Sequence, residues 1–524
     1  MLDMQGNTSC PNHGRQEMQN GRAYALAAVP ALIAVAGCGG GGSDTPSAPA
    51  TNAVTASVAI APVVSCASLN GKQFEDATVT SATPVAASGT LPAYCKVTAT
   101  QNGTQHDIQV LLPDAWQDRY YQQGGGGFDG AIPNLTPAVD SSGNNSSTAL
   151  RSGAMVLGNN GGHRDSTGAD FLNNPTVVEL YSHTAIGVAR DFGDALAQNY
   201  YGKIPKYAYY EGCSNGGRGA LNAAAKYGDK FNAVIAGAPT RNLEGQVPQW
   251  TRAAALSLPS ADKLKQIASA AIAKCDALDG VSDGVISNWQ KCTFDPTADV
   301  PASVQLTSSE AAAVKALMTD LTLSNGTVIY SGYGFGDMSF WGPWYAGLGL
   351  GHMKNIVLNN PTWDVSTFNV DQYFPTISSV LQTQYHFDAE RNGLVQFLAA
   401  GKKIVIWHGS DDALLSHKDT IRTWQEVANG AGASLTQDNS RMYIAAGVNH
   451  CGQGPGADTF DLFTPTMNWV EKGTAPPVPV ASKLSTDQTK TLFTRPLCTY
   501  PQYPQYKGSG DVNDATNFTC VSQT

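Results

Sequence analysis

From residue 66 onward, short apolar runs alternate with longer stretches in which apolar residues return every three or four positions. Runs at 107–112, 119–123, 207–211, 232–236, 403–407 and 442–445 are rich in Val, Ile, Leu and Tyr, as buried strands are. A helical period fills gaps between them, for example at 181–199 and 217–226. Strands alternating with helices predict an α/β fold, a doubly wound, mostly parallel sheet covered on both faces. Between about 243 and 392 the alternation is lost. There a helix at 261–273 follows Ser260, a capping box spans Thr307 to Glu310, and Gly- and aromatic-rich loops separate such pieces. That stretch reads as a domain inserted between two strands, with the core over 66–242 and 393–524. No internal repeat or coiled-coil period is present.

The N-terminus has a different pattern. Arg15 and Arg22 precede a largely apolar run at 23–36, too short to span a bilayer comfortably and suited to the h-region of a signal peptide. Its ending, Val35-Ala36-Gly37-Cys38, resembles a bacterial lipobox, in which Cys38 becomes the lipidated first residue; the alternative is simple cleavage with Cys38 discarded. The residues before Met18 exceed what a signal n-region needs, which leaves a downstream start open. Residues 39–65 begin Gly-, Ser- and Pro-rich and read as a flexible linker, with 1–38 as the signal segment. The expectation is an exported protein: an outer-membrane or periplasmic lipoprotein, or a secreted one, touching a membrane only through a lipid anchor at its N-terminus.

A length of 524 residues accommodates one large core with an insertion, or two to three domains. Charged residues make up 14% and the net charge is −10 without a basic stripe, which argues against a nucleic-acid partner. Of ten cysteines, setting aside Cys10 and Cys38 leaves an even set suited to disulfides in an exported chain. Sequence order suggests Cys66 with Cys95, Cys275 with Cys292, and Cys498 with Cys520, leaving Cys213 and Cys451.

Candidate chemistry centres on Gly212-Cys213-Ser214-Asn215-Gly216. It follows a predicted strand and opens a predicted helix, the context of a nucleophile elbow, although an ordinary Gly-rich turn has the same composition. A hydroxyl needs a base, and the base needs an orienting carboxylate, in the chain order Ser, Asp, His. The strand at 403–407 runs into His408-Gly409-Ser410-Asp411-Asp412, and that at 442–445 into Gly447-Val448-Asn449-His450. Asp412 and His450 are the candidates; Asp411 is a rival acid, and His183, His408 and His417 are rival histidines. Cys213 precedes the nucleophile and Cys451 follows the base, so a bond between them would tie the two together. The loop Gly124-Gly125-Gly126-Gly127-Phe128 lacks the ending of a phosphate loop and suits an oxyanion hole, with one N–H from Gly127 or Gly126 and one from Asn215. In the insertion, Asp276, Asp279 and Asp283 lie between Cys275 and Cys292. Their oxygens and neighbouring glycines suit calcium, although two Asp-Gly turns would look alike. Nothing calls for an organic cofactor.

Taken together these motifs resemble the tannase and feruloyl esterase family of α/β-hydrolases, which also contains the mono(2-hydroxyethyl) terephthalate hydrolases. The matches are Gly-Cys-Ser-x-Gly-Gly at 212–217, His-Gly-x-x-Asp at 408–412, Gly-x-x-His-Cys-Gly at 447–452, the acidic run at 275–286 and the Gly-rich Phe loop at 124–130. The resemblance covers the chain from about Cys66 onward. It implies an α/β-hydrolase sheet with a large lid, a Ser214, Asp412, His450 triad, and a Cys213 to Cys451 disulfide. It also implies structural calcium held by the side chains of Asp276, Asp279 and Asp283 and the carbonyls of Val281 and Val285.

The expected substrate is a small aromatic ester of the galloyl or hydroxycinnamoyl kind. The lid run Tyr333, Phe335, Phe340, Trp341, Trp344 and Tyr345 offers rings to stack on a planar acyl group, or else forms the lid's own core. Family members that cleave the terephthalate monoester are expected to hold its free carboxylate with a lid arginine, and no Arg occurs between Arg252 and Arg391. His352 and Lys354 are the nearby groups that would compensate. Terephthalate monoester hydrolysis, peptide hydrolysis and ligand binding by a non-catalytic surface lipoprotein are the alternatives.

Overall fold

The computed structural model describes residues 59–165, 168–336, 338 and 341–522, at 341–344 and 346 by the backbone alone. The signal-like segment, Cys38 and most of the linker lie outside the described residues. Among the described residues the first twelve strands are β1 (Gln73–Phe74), β2 (Ala77–Val85), β3 (Tyr94–Gln101), β4 (Asp107–Pro113), β5 (Arg119–Gln123), β6 (Ala154–Asn159), β7 (Tyr207–Cys213), β8 (Ala233–Gly237), β9 (Leu321–Thr322), β10 (Val328–Tyr330), β11 (Lys403–Gly409) and β12 (Ser440–Ala445). Ten of them form one sheet in the order β1-β2-β3-β4-β6-β5-β7-β8-β11-β12. The first four pair antiparallel, and β4 joins β6 antiparallel. From β6 through β5, β7, β8 and β11 to β12 every pairing is parallel. The antiparallel strands β2 and β3 and the buried β6 were not singled out from sequence. The first two are rich in Thr and Ala, with half their residues facing solvent, so they carry little apolar signal.

Successive side chains on a strand point to opposite faces, and the two faces are filled independently. Tyr120, Val234, Ala236, Ile404 and Ile406 pack on one side with the helix Ala185–Tyr201. Tyr121, Ala233, Ile235, Val405 and Trp407 pack on the other with the helix Phe463–Lys472. Burial on both faces explains why these strands read as continuous apolar runs. A third cluster is built mainly from Leu243 to Phe387, in the segment between β8 and β11, and also takes in Phe171, Val178 and Tyr181 from before β7 and Leu415 from after β11. The helix Arg391–Ala399 returns to the main core through Leu394, Phe397 and Leu398. The Thr307 to Glu310 capping box is formed. All these parts belong to one compact unit.

Among the described residues four disulfides join Cys66 to Cys95, Cys213 to Cys451, Cys275 to Cys292 and Cys498 to Cys520. Among the described residues no helix is long and apolar enough to cross a membrane.

Candidate active site

The C-terminal ends of β7, β11 and β12 meet at one cavity, as ligand sites of parallel sheets do. Ser214 lies between β7 and the helix Asn215–Lys226, with φ 62° and ψ −121°, a conformation that costs a residue with a side chain on the order of 1–3 kcal/mol. The Ser214 N–H donates to the Gly237 carbonyl at 3.0 Å. A Cβ on Gly216 would sit 2.5 Å from the Gly125 carbonyl oxygen, so the motif's last glycine is required where the helix meets the Gly-rich loop.

Asp412 is fully buried and accepts four hydrogen bonds. Its Oδ1 takes the N–H groups of Leu414 and Leu415, both at 2.8 Å. Its Oδ2 takes His450 Nδ1–H at 2.7 Å and His408 Nε2–H at 3.1 Å. Burial by itself would raise the Asp412 pKa, but the two imidazoles outweigh it and hold the carboxyl well below its ordinary range. A Cβ on Gly409 would sit 2.1 Å from the Val448 carbonyl oxygen, so only glycine allows the loops after β11 and β12 to touch. That contact brings Asp412 to His450.

The rival groups lie elsewhere. Asp411 accepts from Ser410 Oγ at 2.8 Å and packs against Gly336 of the insertion. His183 pairs with Tyr227 Oη at 3.0 Å, and His417 is buried edge-on to Trp289. His408 sits behind the candidate triad: Nε2 faces two acceptors, Asp412 and the Leu415 carbonyl, so it carries the proton, and Nδ1 accepts from Thr420 Oγ1 at 2.9 Å.

The loop Gly124 to Gly127 lines the same cavity as Ser214, Asn215 and His450. Asp129 N–H donates to the Gly126 carbonyl at 2.9 Å, and Tyr181 Oη to the Gly127 carbonyl at 2.9 Å. The Gly126 carbonyl and Gly127 N–H share one trans peptide plane, so holding the first aims the second. Asn215 Nδ2–H donates to Asp129 Oδ1 at 2.8 Å, which couples the two candidate amide donors through one side chain. The Cys213 to Cys451 bond, with Cα atoms 5.9 Å apart, closes a loop of 238 residues. Loop-closure entropy sets its contribution at about 5 kcal/mol or less.

The cavity measures about 950 Å³, and its apolar wall includes Phe128, Tyr181, Trp250, Leu348 and Leu414. The aromatic run expected there lies largely behind it. Tyr345 is fully buried in the insertion's core and donates Oη–H to the Ala413 carbonyl at 2.5 Å. Tyr333 is buried beside it, and Phe335 packs edge-on to Phe294 with Lys418 over its ring. Phe335 and Tyr345 therefore do not line the cavity. They fill the insertion, because rings that must be desolvated anyway pack best against one another. Phe340 and the side chains of Trp341 and Trp344 lie outside the described residues. The wall residues instead come from five separate segments and share no sequence pattern.

At the acidic loop, Asp276 accepts the N–H groups of Asp283 and Gly284 at 3.2 and 3.0 Å. Asp279 Oδ1 takes Val281 N–H, Asp283 Oδ1 takes Val285 N–H, and Arg495 pairs with Asp283 Oδ2. In this arrangement no three metal-binding side chains converge among the described residues. Asp279 Oδ2, however, is buried and accepts no hydrogen bond of normal geometry, and burial, with Asp283 and Asp276 adding to it, pushes that carboxyl up to about 6 against the Ser287 hydroxyl and the Val281 N–H. An oxygen-rich pocket with an orphaned carboxylate oxygen fits a hard cation.

The family described as "Tannase and feruloyl esterase" matches residues 95–521. A probable feruloyl esterase from Arthroderma benhamiae is 31% identical over 79% of this chain and 82% of its own. A mono(2-hydroxyethyl) terephthalate hydrolase from Piscinibacter sakaiensis is 27% identical over 83% and 86%. The crystal structure of feruloyl esterase B from Aspergillus oryzae superposes with a TM-score of 0.74 over 86% of this chain and 98% of that one, at 24% identity.

Proposed function

Because the chain belongs to the tannase and feruloyl esterase family and is a carboxylic ester hydrolase, we propose that it acts as a serine esterase on esters of aromatic acids, with Ser214 as nucleophile and His450 as base. The observation that carries this reading is Asp412 locking His450 Nδ1–H at 2.7 Å, which leaves Nε2 as the base in the cavity that holds Ser214. Ser214 Oγ attacks the ester carbonyl as His450 takes its proton, and the oxyanion is received by the N–H groups of Asn215 and Gly127 or Gly126. Collapse expels the alcohol, which leaves with the proton from His450. Water then attacks the acyl-enzyme by the reverse proton path. A fluorophosphonate probe should label the wild type and not Ser214→Ala; labelling that survives the substitution would place the nucleophile elsewhere.

The wall of the cavity supports an uncharged aromatic acyl group over a free carboxylate. Among its described residues Arg218 is the one Lys or Arg, and four of its five N–H donors are already taken by Asn215 Oδ1 and the carbonyls of Tyr181, Ser182 and Phe387. His352 does not replace it: burial pushes its pKa down to about 4, so it is neutral near pH 7. Methyl ferulate or methyl gallate is expected to exceed the terephthalate monoester and a medium-chain nitrophenyl ester in kcat/KM by about tenfold or more, about 1.4 kcal/mol of transition-state preference. The reverse order would refute the acyl preference and leave the esterase intact.

Calcium completes the proposal, held by Asp276, Asp279 and Asp283 and by the carbonyls of Val281 and Val285, and supporting the insertion instead of the chemistry. At a calcium concentration 100-fold above Kd its binding stabilises the fold by about 2.7 kcal/mol. Chelation should lower the melting temperature by several degrees with kcat little changed. Unchanged melting in chelator, with no calcium in elemental analysis, would remove this site. The four disulfides support export, since such bonds persist in oxidising compartments.

A further inference from the structure

Glu211, three residues before Ser214 on β7, is fully buried, and its hydrogen bonds close in only one way. Its Oε1 accepts from Asn145 Nδ2–H at 2.7 Å, and its Oε2 lies 2.9 Å from Tyr121 Oη. The same hydroxyl lies 2.8 Å from Gln123 Oε1 and accepts from Asn145 N–H at 3.2 Å. The Gln123 amide cannot be turned over, because Nε2–H donates to two carbonyls, Gly124 at 3.0 Å and Gly143 at 2.8 Å. Its oxygen therefore faces Tyr121. A phenol has one proton and an amide oxygen can only accept, so that proton goes to Gln123. Glu211 Oε2, facing the same hydroxyl, must bring a proton of its own.

We propose that Glu211 is a neutral carboxylic acid acting as a positioning residue: its proton orders a relay through Tyr121 and Gln123 that holds the two segments flanking Ser214. One end of the relay is Gly124, whose N–H donates to the Glu211 carbonyl at 2.7 Å and which opens the Gly-rich loop. The other is Gly143, where a Cβ would sit 2.5 Å from Cys213 Cβ, so it lies directly on the residue before the nucleophile. The role assigned to the loop rests on the oxyanion reading of Gly126 and Gly127. The proton on Glu211 does not.

The surroundings favour the neutral form. Burial pushes Glu211 up to about 8 against the hydrogen bonds from Asn145 and Tyr121, and the nearby Asp461 and Asp140 push it further the same way. Tyr121, which faces it from β5, is itself held protonated by burial. The neutral acid's contribution to stability is thus full below the ordinary carboxyl range, near 4.5, and is lost as pH rises through about 8. Once ionised, Glu211 competes for the Tyr121 proton, and Gln123 loses the bond that aims its amide.

The test compares wild type with E211Q, whose amide keeps both hydrogen bonds without a dissociable proton. The infrared difference spectrum at pH 7 should show the carbonyl stretch of a protonated carboxyl in the wild type, lost with a midpoint near pH 8. Wild-type kcat should fall about tenfold with the same midpoint. E211Q should stay within about threefold at pH 7, the effect of less than one net hydrogen bond, and lack that fall. At pH 9 it should melt above wild type. Tyr121→Phe, which cuts the relay, should lower kcat more than it changes KM. No protonated-carboxyl band at pH 7, or an E211Q profile that falls as the wild type does, would overturn the proposal. Failure of the serine reading is separately visible, as turnover by Ser214→Ala, and leaves the infrared band to judge Glu211.

Discussion

Ser214→Ala and His450→Ala are each expected to lower kcat for ester hydrolysis by about 10⁴ to 10⁶-fold, with melting temperature and KM little changed. Neither side chain supports the core: Ser214 and His450 both line the cavity, and His450 is held by one carboxylate on one side. Removing the hydroxyl removes the atom that forms the acyl-enzyme. Removing the imidazole leaves a hydroxyl with no base, so the double variant should be barely worse than either single one. Losses that multiplied in the double variant would show that the two groups act independently and would undo the assignment. The residual rate should belong to the amide donors and the cavity alone.

Asp412→Asn should cost about 10³ to 10⁴-fold in kcat, and Asp411→Asn less than about threefold. The two acids are neighbours in sequence but not in environment. Asp412 Oδ2 accepts from both His450 and His408, whereas Asp411 turns to Ser410 and the insertion. An amide nitrogen in place of Oδ2 would confront two N–H donors with a third and force His450 into the wrong tautomer. The sign of the pH effect follows from the depressed native pKa of Asp412. Its interactions contribute stability above the ordinary Asp range and are given up as pH falls through the native value, so the wild type should lose more stability in acid than Asp412→Asn does. If Asp411→Asn proved the severe variant in steady-state kinetics, the orienting acid would have to be reassigned.

Much of the sheet was legible before any coordinates, because its parallel strands are buried on both faces and so read as uninterrupted apolar runs. The run at 119–123 is β5 to the residue, and those at 403–407 and 207–211 extend by only two residues into β11 and β7. The amphipathic strands β2 and β3 gave a weaker signal. The candidate triad was legible for a different reason: a nucleophile elbow and two strand-end loops are local motifs, and their chain order is constrained by the fold. Glycine made part of this possible. Gly216 and Gly409 stand where another backbone allows no Cβ, so the spacing of the motifs already encodes contacts they make in three dimensions.

The cavity wall was not legible. The ring-dense run at 333–345 suggested a binding surface by composition, but composition does not say which side of a segment faces a cavity, and the described rings of that run turn inward. The wall is drawn from Phe128, Tyr181, Trp250 and Leu414, far apart in sequence, so no window along the chain could assemble it. The same holds for His408 behind Asp412, Asp129 between the two amide donors, and the protonated state argued for Glu211. Sequence by itself determined the sheet's parallel half apart from β6, the disulfide pairs suggested by chain order, and the loops on which a serine, an acid and a histidine would be carried. Tertiary structure alone decided which acid meets which histidine and which rings meet a substrate, because both depend on burial and on the direction of side chains brought together from distant parts of the chain.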